Sequence, residues 1–570
     1  MDGSTEEIQS PVMAGAAAAA GGTGERRVAW RPIALVAAAA GAVHLTVATR
    51  YGWHHDEFYY VICGRHPAFG YVDQPPAAPL LARFADAAGG LFGVRLLAIL
   101  AQLGCIVLTG VLAAQFGGRR AAQTLAAAAV AASPVFVASS MLFGTTVLDQ
   151  VAWAGLFVLV TGALRENRLL WWTGAGAVAG LGFEGKNTIA VLALGIAVGV
   201  VMYRRDVLRT PGPWVALALA ALLAAPNVVW DALHGWPNLR MDHVLSQQQG
   251  GPLASLAKSP ELPLLLAGPP LIALWWTGLR WLRSPEGRTH RWLLPATAVV
   301  TAVFIAGGGK TYYPAPLLIP LFAAGAAAAP IEWYPRRALH SAVDEAGQST
   351  RGWVSPGLGR GVPETDTAPG RPGPAAARRR WRQRIAPGAS QGASGLRAIA
   401  SASSVRAVAI SALFAAIIGL PFLPPAAATA LRPVNPELMQ TYGWPQFTRE
   451  VAAAAATQPA GVPIFASDFG EAGALTILGP AAGLRRPVYS GHDSYVYWPP
   501  PAGTPDTVLC VGKFQPAYLE RFWAQVTEIA PITLPSGLKN AETEQHAAIY
   551  LCRQPRGTWE QMWPAMWHVD

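Results

Sequence analysis

The sequence predicts a mainly α protein: a polytopic transmembrane helical bundle of about eleven spans, with a small α/β domain at its C-terminal end. Three observations lead there. Charged residues make up only 13% of the 570, and the mean hydropathy is +0.30, whereas soluble proteins carry roughly a quarter charged residues. Apolar runs near the ~20 residues that cross a bilayer recur along the chain. Arginines gather in alternate connections between those runs, as they do on the cytoplasmic side of membrane proteins.

The apolar runs lie at about 28–49, 91–114, 121–139, 147–164, 169–184, 187–203, 212–230, 262–282, 292–308, 313–330 and 405–424. The fifth and sixth are short and close enough to form a tight hairpin. With residues 1–27 cytoplasmic, the inside connections hold Arg119/Arg120, Arg165/Arg168, Arg204/Arg205/Arg209, Arg280/Arg283/Arg288/Arg291 and Arg336/Arg337. The loop at 50–90, the segment 231–261 and the GGGK turn at 307–310 then face outward. The net charge of +10 therefore reports orientation in a membrane, here the plasma or inner membrane, rather than nucleic-acid binding.

Five regions follow. Residues 1–27 are Ala-, Gly- and acid-rich, which predicts a disordered cytoplasmic start. Residues 28–330 form the membrane domain. Residues 331–404 are rich in Pro, Gly, Ser and Arg and read as a disordered cytoplasmic insertion, with RRRWRQR at 378–384 able to lie on anionic lipid. Residues 405–425 make the last span, and 426–570 an exported domain. In that domain VPIFAS, TVLCVG and AAIYLC read as strands, and the stretches near 446–457 and 516–526 as helices. Cys510 and Cys552 fall on two of these strands and are equally compatible with a disulfide and with two buried thiols.

Chemistry-bearing residues concentrate in Tyr51–Arg83, YGWHHDEFYYVICGRHPAFGYVDQPPAAPLLAR. A connection that only reverses the chain needs a few polar residues; this one carries Asp56, Glu57, Asp73, three histidines and four tyrosines. Carboxylates beside membrane helices are costly unless solvated, paired or in use. On a short helix Asp56 shares a face with Tyr59 and Tyr60, while Glu57 points about 100° away. Asp56 then suits a general base and Glu57 a partner that supports it. The prolines after Asp73 and Gln74 stiffen the backbone that aims them. His54, His55 and His66 lack a regular ligand spacing, so no metal residue is assigned, and a divalent cation is left open.

Further candidates sit at the same outward level. Asp149 lies at the outer end of the fourth span, and Lys186 at the tip of the hairpin. Lys310, Tyr312 and Tyr313 follow three glycines. The lysines suit a lipid phosphate. Snorkelling to the interface is the plainer reading of each.

Taken together and in order, these blocks resemble a known family. HHDEFYYVICGRHPAFGYVDQPPAAPLLAR, LDQVAWAGLFVLV, GLGFEGKNTIAVL, PNVVWDALHGWP and GKTYYPAPLLIPLFAAGA are similar to blocks of bacterial polyprenyl-phosphate-sugar-dependent membrane glycosyltransferases. These are of the dolichyl-phosphate-mannose protein mannosyltransferase type (glycosyltransferase family 39, GT-C fold). FASDFGEAGALTILG and YSGHDSYVYWPP resemble the exported part of one bacterial subgroup. The resemblance implies transfer of a sugar from a polyprenyl-phosphate carrier to an outer-face acceptor: protein, glycan or glycolipid. It implies Asp56 as base with Glu57 beside it, and inversion at the sugar. Lys186, Lys310, Arg95 and Arg240 would meet the donor phosphate. Tyr59, Tyr60, Asp73, Gln74, Asp149, Tyr312 and Tyr313 would line the substrate. FEGKN departs from the family's usual Leu-x-Lys-Tyr-like pattern at Lys186. The rival expectations are a transporter or flippase for lipid-linked sugars, and a sugar-binding assembly factor. A transporter would carry inverted repeats with broken helices at mid-membrane, and no such repeat is visible.

Overall fold

The computed structural model describes residues 27–329, 403–498, 503–535 and 538–569. The expected N-terminal segment and the Arg-rich insertion fall outside these, apart from their last residues.

Among the described residues, five helices are long and apolar enough to cross a membrane: Trp30–Val47, Ala77–Gln115, Thr145–Glu166, Gly212–Leu233 and Arg288–Ala306. Shorter apolar helices run over Leu169–Phe183, Ile189–Tyr203, Ala315–Ala328 and Ser403–Gly419. The chain is an integral membrane protein. The hairpin at 169–203 forms as its spacing predicts.

Two expected spans are not continuous. The run at 121–139 divides into Arg120–Ala132 and Pro134–Ser139. Pro134 has no N–H to extend the first helix and pushes Ser133 into extended backbone (ψ 125°). The run at 262–282 belongs to a pair, Gly251–Leu266 and Pro269–Arg283, bent by 85°. The corner is Gly268, at φ +100°, a region glycine enters at little cost, followed by two prolines. The helix Ala77–Gln115 also breaks, at Gly89 and Gly90, so 77–88 and 91–115 are separate segments.

The arginine-bearing turns meet one another. Arg204 Nη1 donates to the Leu164 carbonyl at 2.6 Å, and Thr210 Oγ1 to Asn167 Oδ1 at 3.3 Å. The Phe116 ring lies 4.5 Å from His290, which Arg165 reaches electrostatically. The Tyr51–Arg83 loop instead meets the other ends of the helices. Asn227 Nδ2 donates to the Phe69 carbonyl at 3.0 Å, and Ala77 N to the Glu184 carbonyl at 2.9 Å. The loop and the arginines therefore belong to opposite ends of the bundle.

The C-terminal region holds one five-stranded sheet. Its strands are β1 (Ile464–Ala466), β2 (Val488–Ser490), β3 (Thr507–Gly512), β4 (Trp523–Pro531) and β5 (Ala548–Pro555), in the order β2-β1-β3-β5-β4. β1 pairs parallel with β2 and β3, whereas β5 runs antiparallel to both its neighbours. The helix Trp444–Ala456 forms as expected. The helix expected near 516–526 does not: only Pro516–Leu519 is helical, and Trp523 opens β4. Trp, Val, Thr and Ile in WAQVTEI favour the extended pleat, and the strand is paired along β5. Cys510 and Cys552 are both free, buried thiols.

This domain does not stand apart from the membrane loop. The helix Phe469–Leu478 lies against the loop helix His55–Arg65. Gly470 and Gly473 make the approach close: a Cβ on Gly473 would fall 2.5 Å from that of Phe58, and one on Gly470 2.6 Å from that of His55. One apolar core runs from Ile464, Leu509 and Ile549 of the sheet through Trp444 and Phe447 to Phe58 and Val61 of the loop.

Candidate active site

The loop helix begins at His55. His54 caps it: its Nδ1 accepts from Asp56 N at 3.2 Å, while Glu57 Oε2 accepts from His54 N at 2.9 Å. This capping box satisfies donors that the first helical turn would otherwise leave open. It also fixes the directions of the two acids. Asp56 leaves the helix with 42% of its side chain exposed, 3.3 Å from His55 Nε2. Glu57 points inward and is fully buried.

Glu57 is saturated. Arg95 Nε and Nη2 donate to its two oxygens at 2.5 and 2.9 Å, and Phe143 N donates at 3.0 Å. The remaining Arg95 donors go to the carbonyls of Ala48 (3.2 Å) and Gly52 (2.9 Å). Arg95 was expected at a phosphate; it is instead 2% exposed and fully committed to Glu57 and the backbone. A buried guanidinium needs such a forked partner. Glu57 accordingly ties the start of the loop helix to Arg95, with no oxygen left unpaired.

Lys310 is within electrostatic reach of Asp56, and Lys186 within reach of Lys310. Lys186 Nζ lies 4.4 Å from the centre of the Tyr313 ring and 5.9 Å from that of Tyr312, and 3.4 Å from Thr146 Oγ1. Such ring contacts hold an ammonium by about 0.5–2 kcal/mol while leaving its outer hydrogens free. Burial pushes Lys186 down to about 8; Asp149 opposes this and Lys310 adds to it. Lys310 goes the other way. Burial would lower it, but Tyr313, Glu437 and Asp56 together raise it. Asp56, Lys186, Lys310, Tyr312 and Tyr313 thus share one electrostatic site. Tyr60, four residues after Asp56, packs edge-on to Phe143 at 6.3 Å beside this group.

Other expected residues lie elsewhere in the loop. Tyr59 donates to Asp73 Oδ1 at 2.9 Å and lies 2.8 Å from Ser494 Oγ of the C-terminal domain. Its ring stacks on Phe469 at 4.5 Å. Burial pushes Asp73 up to about 7, against the Tyr59 hydrogen bond. Gln74 is buried against the Cys63 thiol, Nε2 to Sγ 3.9 Å. Asp149 is buried within electrostatic reach of Lys186. Arg240 does not join the lysines; it is exposed on the helix Pro237–Gln248, and Tyr497 feels its charge.

Sequence reading missed Glu437. It reaches His54 Nε2 at 3.1 Å from 383 positions away. Burial would raise its carboxyl, but the His54 hydrogen bond and the charges of His54, His55 and Lys310 hold it down at about 2. Nothing in RPVNPELMQ marks it. The Phe469 helix was also missed, although D-x-x-E at Asp468–Glu471 is a capping-box signature, and the box forms.

Comparison with known proteins places this architecture. Residues 73–230 match the family model described as dolichyl-phosphate-mannose-protein mannosyltransferase. ArnT from Cupriavidus metallidurans, solved bound to undecaprenyl phosphate, superposes with a TM-score of 0.57 at 13% identity over 92% of this chain and 98% of that one. The chain has the GT-C fold. ArnT in the apo state gives 0.56 at 13% identity over 91% and 97%. Archaeal oligosaccharyltransferase AglB from Archaeoglobus fulgidus gives 0.39 at 15%, over 80% and 64%. No curated protein matches the chain. Within the GT-C frame, the matched segment opens at Asp73 and covers Arg95, Asp149 and Lys186; Asp56 and Lys310 flank it on either side.

Proposed function

We propose that this GT-C protein is a glycosyltransferase that moves a sugar from a polyprenyl-phosphate carrier to a hydroxyl acceptor on the outer face of the membrane, with inversion. The observation that carries the reading is the shared site of Asp56 with Lys186 and Lys310, at the end of the bundle opposite the arginines. The positive-inside bias puts the arginine end in the cytoplasm and this site outside.

A lipid-phosphate donor enters from the bilayer, so its phosphate must be met at the membrane surface. Lys186 and Lys310 meet it, with Tyr312 and Tyr313 holding Lys186 by their ring faces. The acceptor oxygen attacks the anomeric carbon from the side away from the phosphate and gives its proton to Asp56. The bond from that carbon to the phosphate oxygen breaks, and the electron pair leaves with the polyprenyl phosphate. The lysines balance the charge that grows there, and they need no rearrangement to do so. Attack opposite the leaving group gives inversion.

Asp56, Lys186 and Lys310 gathered at one end of the bundle favour a transferase over a carrier. Mass analysis of envelope glycans from cells with and without the chain tests the reading. Loss of a sugar from one glycan class, with its polyprenyl-phosphate donor accumulating, supports transfer. Loss of the sugar with its donor stranded on the inner leaflet supports a flippase instead, and an unchanged glycan profile contradicts both.

A further inference from the structure

We propose that Glu471 and Glu542 hold one hydrogen between their carboxyl groups, and that this shared hydrogen is a pH-sensitive latch positioning the C-terminal domain on the loop helix His55–Arg65. Three acids and one base meet just beyond the ends of β1 and β3. One oxygen each from Asp468, Glu471 and Glu542 lies within 4.8 Å of the other two. Lys513 Nζ stands 2.5 Å from Asp468 Oδ2 and 3.5 Å from Glu542 Oε1. Glu471 is fully buried and Glu542 is 2% exposed. With every acid ionised, three negative charges would face one ammonium. A protein interior does not carry that surplus; one acid keeps its proton instead.

The hydrogen bonds locate that proton. Glu471 Oε2 is filled: Ser467 N, Ser467 Oγ and Asp468 N donate to it at 2.9, 2.6 and 3.2 Å. Asp468 has Lys513 on one oxygen and Glu471 N, at 2.8 Å, on the other. Among the described residues no donor reaches the two remaining oxygens, Glu471 Oε1 and Glu542 Oε2, and both atoms are buried. Two acceptors without a donor need a hydrogen, and a carboxylic acid beside a carboxylate supplies it. Gly512 makes the room: it sits at φ +118°, and a Cβ there would collide with the Glu471 carboxyl group. Burial, then the charges of Asp468 and Glu542, push Glu471 well above the usual carboxylate range. Asp468 goes the other way. Burial would raise it, but Lys513 and His492 hold it well below that range.

The latch joins two grips on the loop. Glu471 lies in the first turn of the helix Phe469–Leu478, whose Gly470 and Gly473 approach His55 and Phe58. Glu542 lies in the short helix Ala541–Glu544, capped by Asn540, and Asn540 Nδ2 donates to the Tyr442 carbonyl at 3.2 Å. The Tyr442 ring packs edge-on to Tyr51 at 5.9 Å, where the loop begins. Asp468 and Lys513 face the pair directly. Behind them, His492 acts on Asp468, His568 Nε2 lies 3.0 Å from the Ser467 carbonyl, and His55 of the loop helix feels Asp468. The folded chain holds the proton above the ordinary glutamate range. The stability it contributes is therefore full below that range and falls as pH rises through the folded value. Loss of the proton leaves two facing carboxylates, which part and loosen both grips.

The test uses the full chain in lipid nanodiscs and involves no sugar transfer, so its result is independent of the transferase reading. Infrared difference spectra, wild type minus Glu471→Gln, taken at about pH 8, above the range of ordinary carboxylates, should contain one protonated-carboxyl C=O band. Glutamine keeps the shape, accepts from Ser467 and donates to Glu542, so E471Q imitates the latched state at every pH. Glu542→Gln offers the hydrogen from the other side and should lose the same band; it decides the matter if E471Q does not fold. Hydrogen-exchange protection in residues 55–65 should fall in wild type as pH rises, by up to about tenfold per pH unit, the limit for one linked proton. In E471Q it should stay flat, which a merely structural role for Glu471 would not produce. Absence of the band from wild type, its persistence in both variants, or the same pH dependence in wild type and E471Q overturns the proposal. So does a metal ion that wild type retains and E471Q loses.

Discussion

Glu57 and Arg95 form a forked, fully buried ion pair, with Nε–Oε1 at 2.5 Å and Nη2–Oε2 at 2.9 Å. It ties the loop helix to the membrane helix Ala77–Gln115 and sets the direction in which Asp56 leaves the backbone. Removing one partner strands a buried charge, at a cost of about 3–5 kcal/mol, while replacing both with apolar residues is much milder. Glu57→Ala should therefore lower the thermal stability of the solubilised protein strongly. The double variant Glu57→Leu/Arg95→Leu should recover much of it. Size-exclusion after heating reads both. If E57A were as stable as wild type, the pair would not hold the loop.

Gly473 is the contact that docks the C-terminal domain on the loop. Its α-carbon approaches Phe58 so closely that a methyl group has no room. Gly473→Ala should push the Phe469 helix off the loop helix, at roughly 1–3 kcal/mol for an overpacked core. Hydrogen exchange should then quicken in residues 55–65 as well as in 469–478. Gly461→Ala, where an added methyl meets nothing within 4 Å, should leave exchange in 55–65 close to wild type.

Lys186 gives a pH signature. Its ammonium is held down at about 8, chiefly by burial. An ammonium attracts phosphate and a neutral amine does not, so affinity for a polyprenyl phosphate should fall as pH rises through about 8. Lys186→Arg, charged at every accessible pH, should flatten that fall. Binding of a fluorescent polyprenyl phosphate between pH 6 and 9.5 measures both. An identical fall in the arginine variant would place the titrating group elsewhere.

The parts of the fold legible in the sequence were those set by local pattern. Apolar runs, arginine-bearing turns and the D-E dipeptide on a short helix each speak within a few residues. The hairpin at 169–203 and strands β1, β3 and β5 followed from them. What stayed hidden depends on distant contacts. The 3.6-residue period puts Glu57 on another face from Asp56, but only the fold shows that Arg95 waits there. The stretch near 516–526 reads as helix until β5 lies beside Trp523–Pro531. Glu437 meets His54 across 383 positions, and no spacing rule spans that distance.

The central claim is that Asp56 takes the acceptor's proton while Lys186 and Lys310 hold the donor phosphate. Sugar transfer by purified wild type and Asp56→Asn in nanodiscs, across polyprenyl-phosphate sugars, tests it most directly. The exposed side chain keeps its size, so fold and donor binding should persist. The rate should fall by about 10²–10⁴, the usual contribution of a general base. Transfer by Asp56→Asn at the wild-type rate would contradict the account.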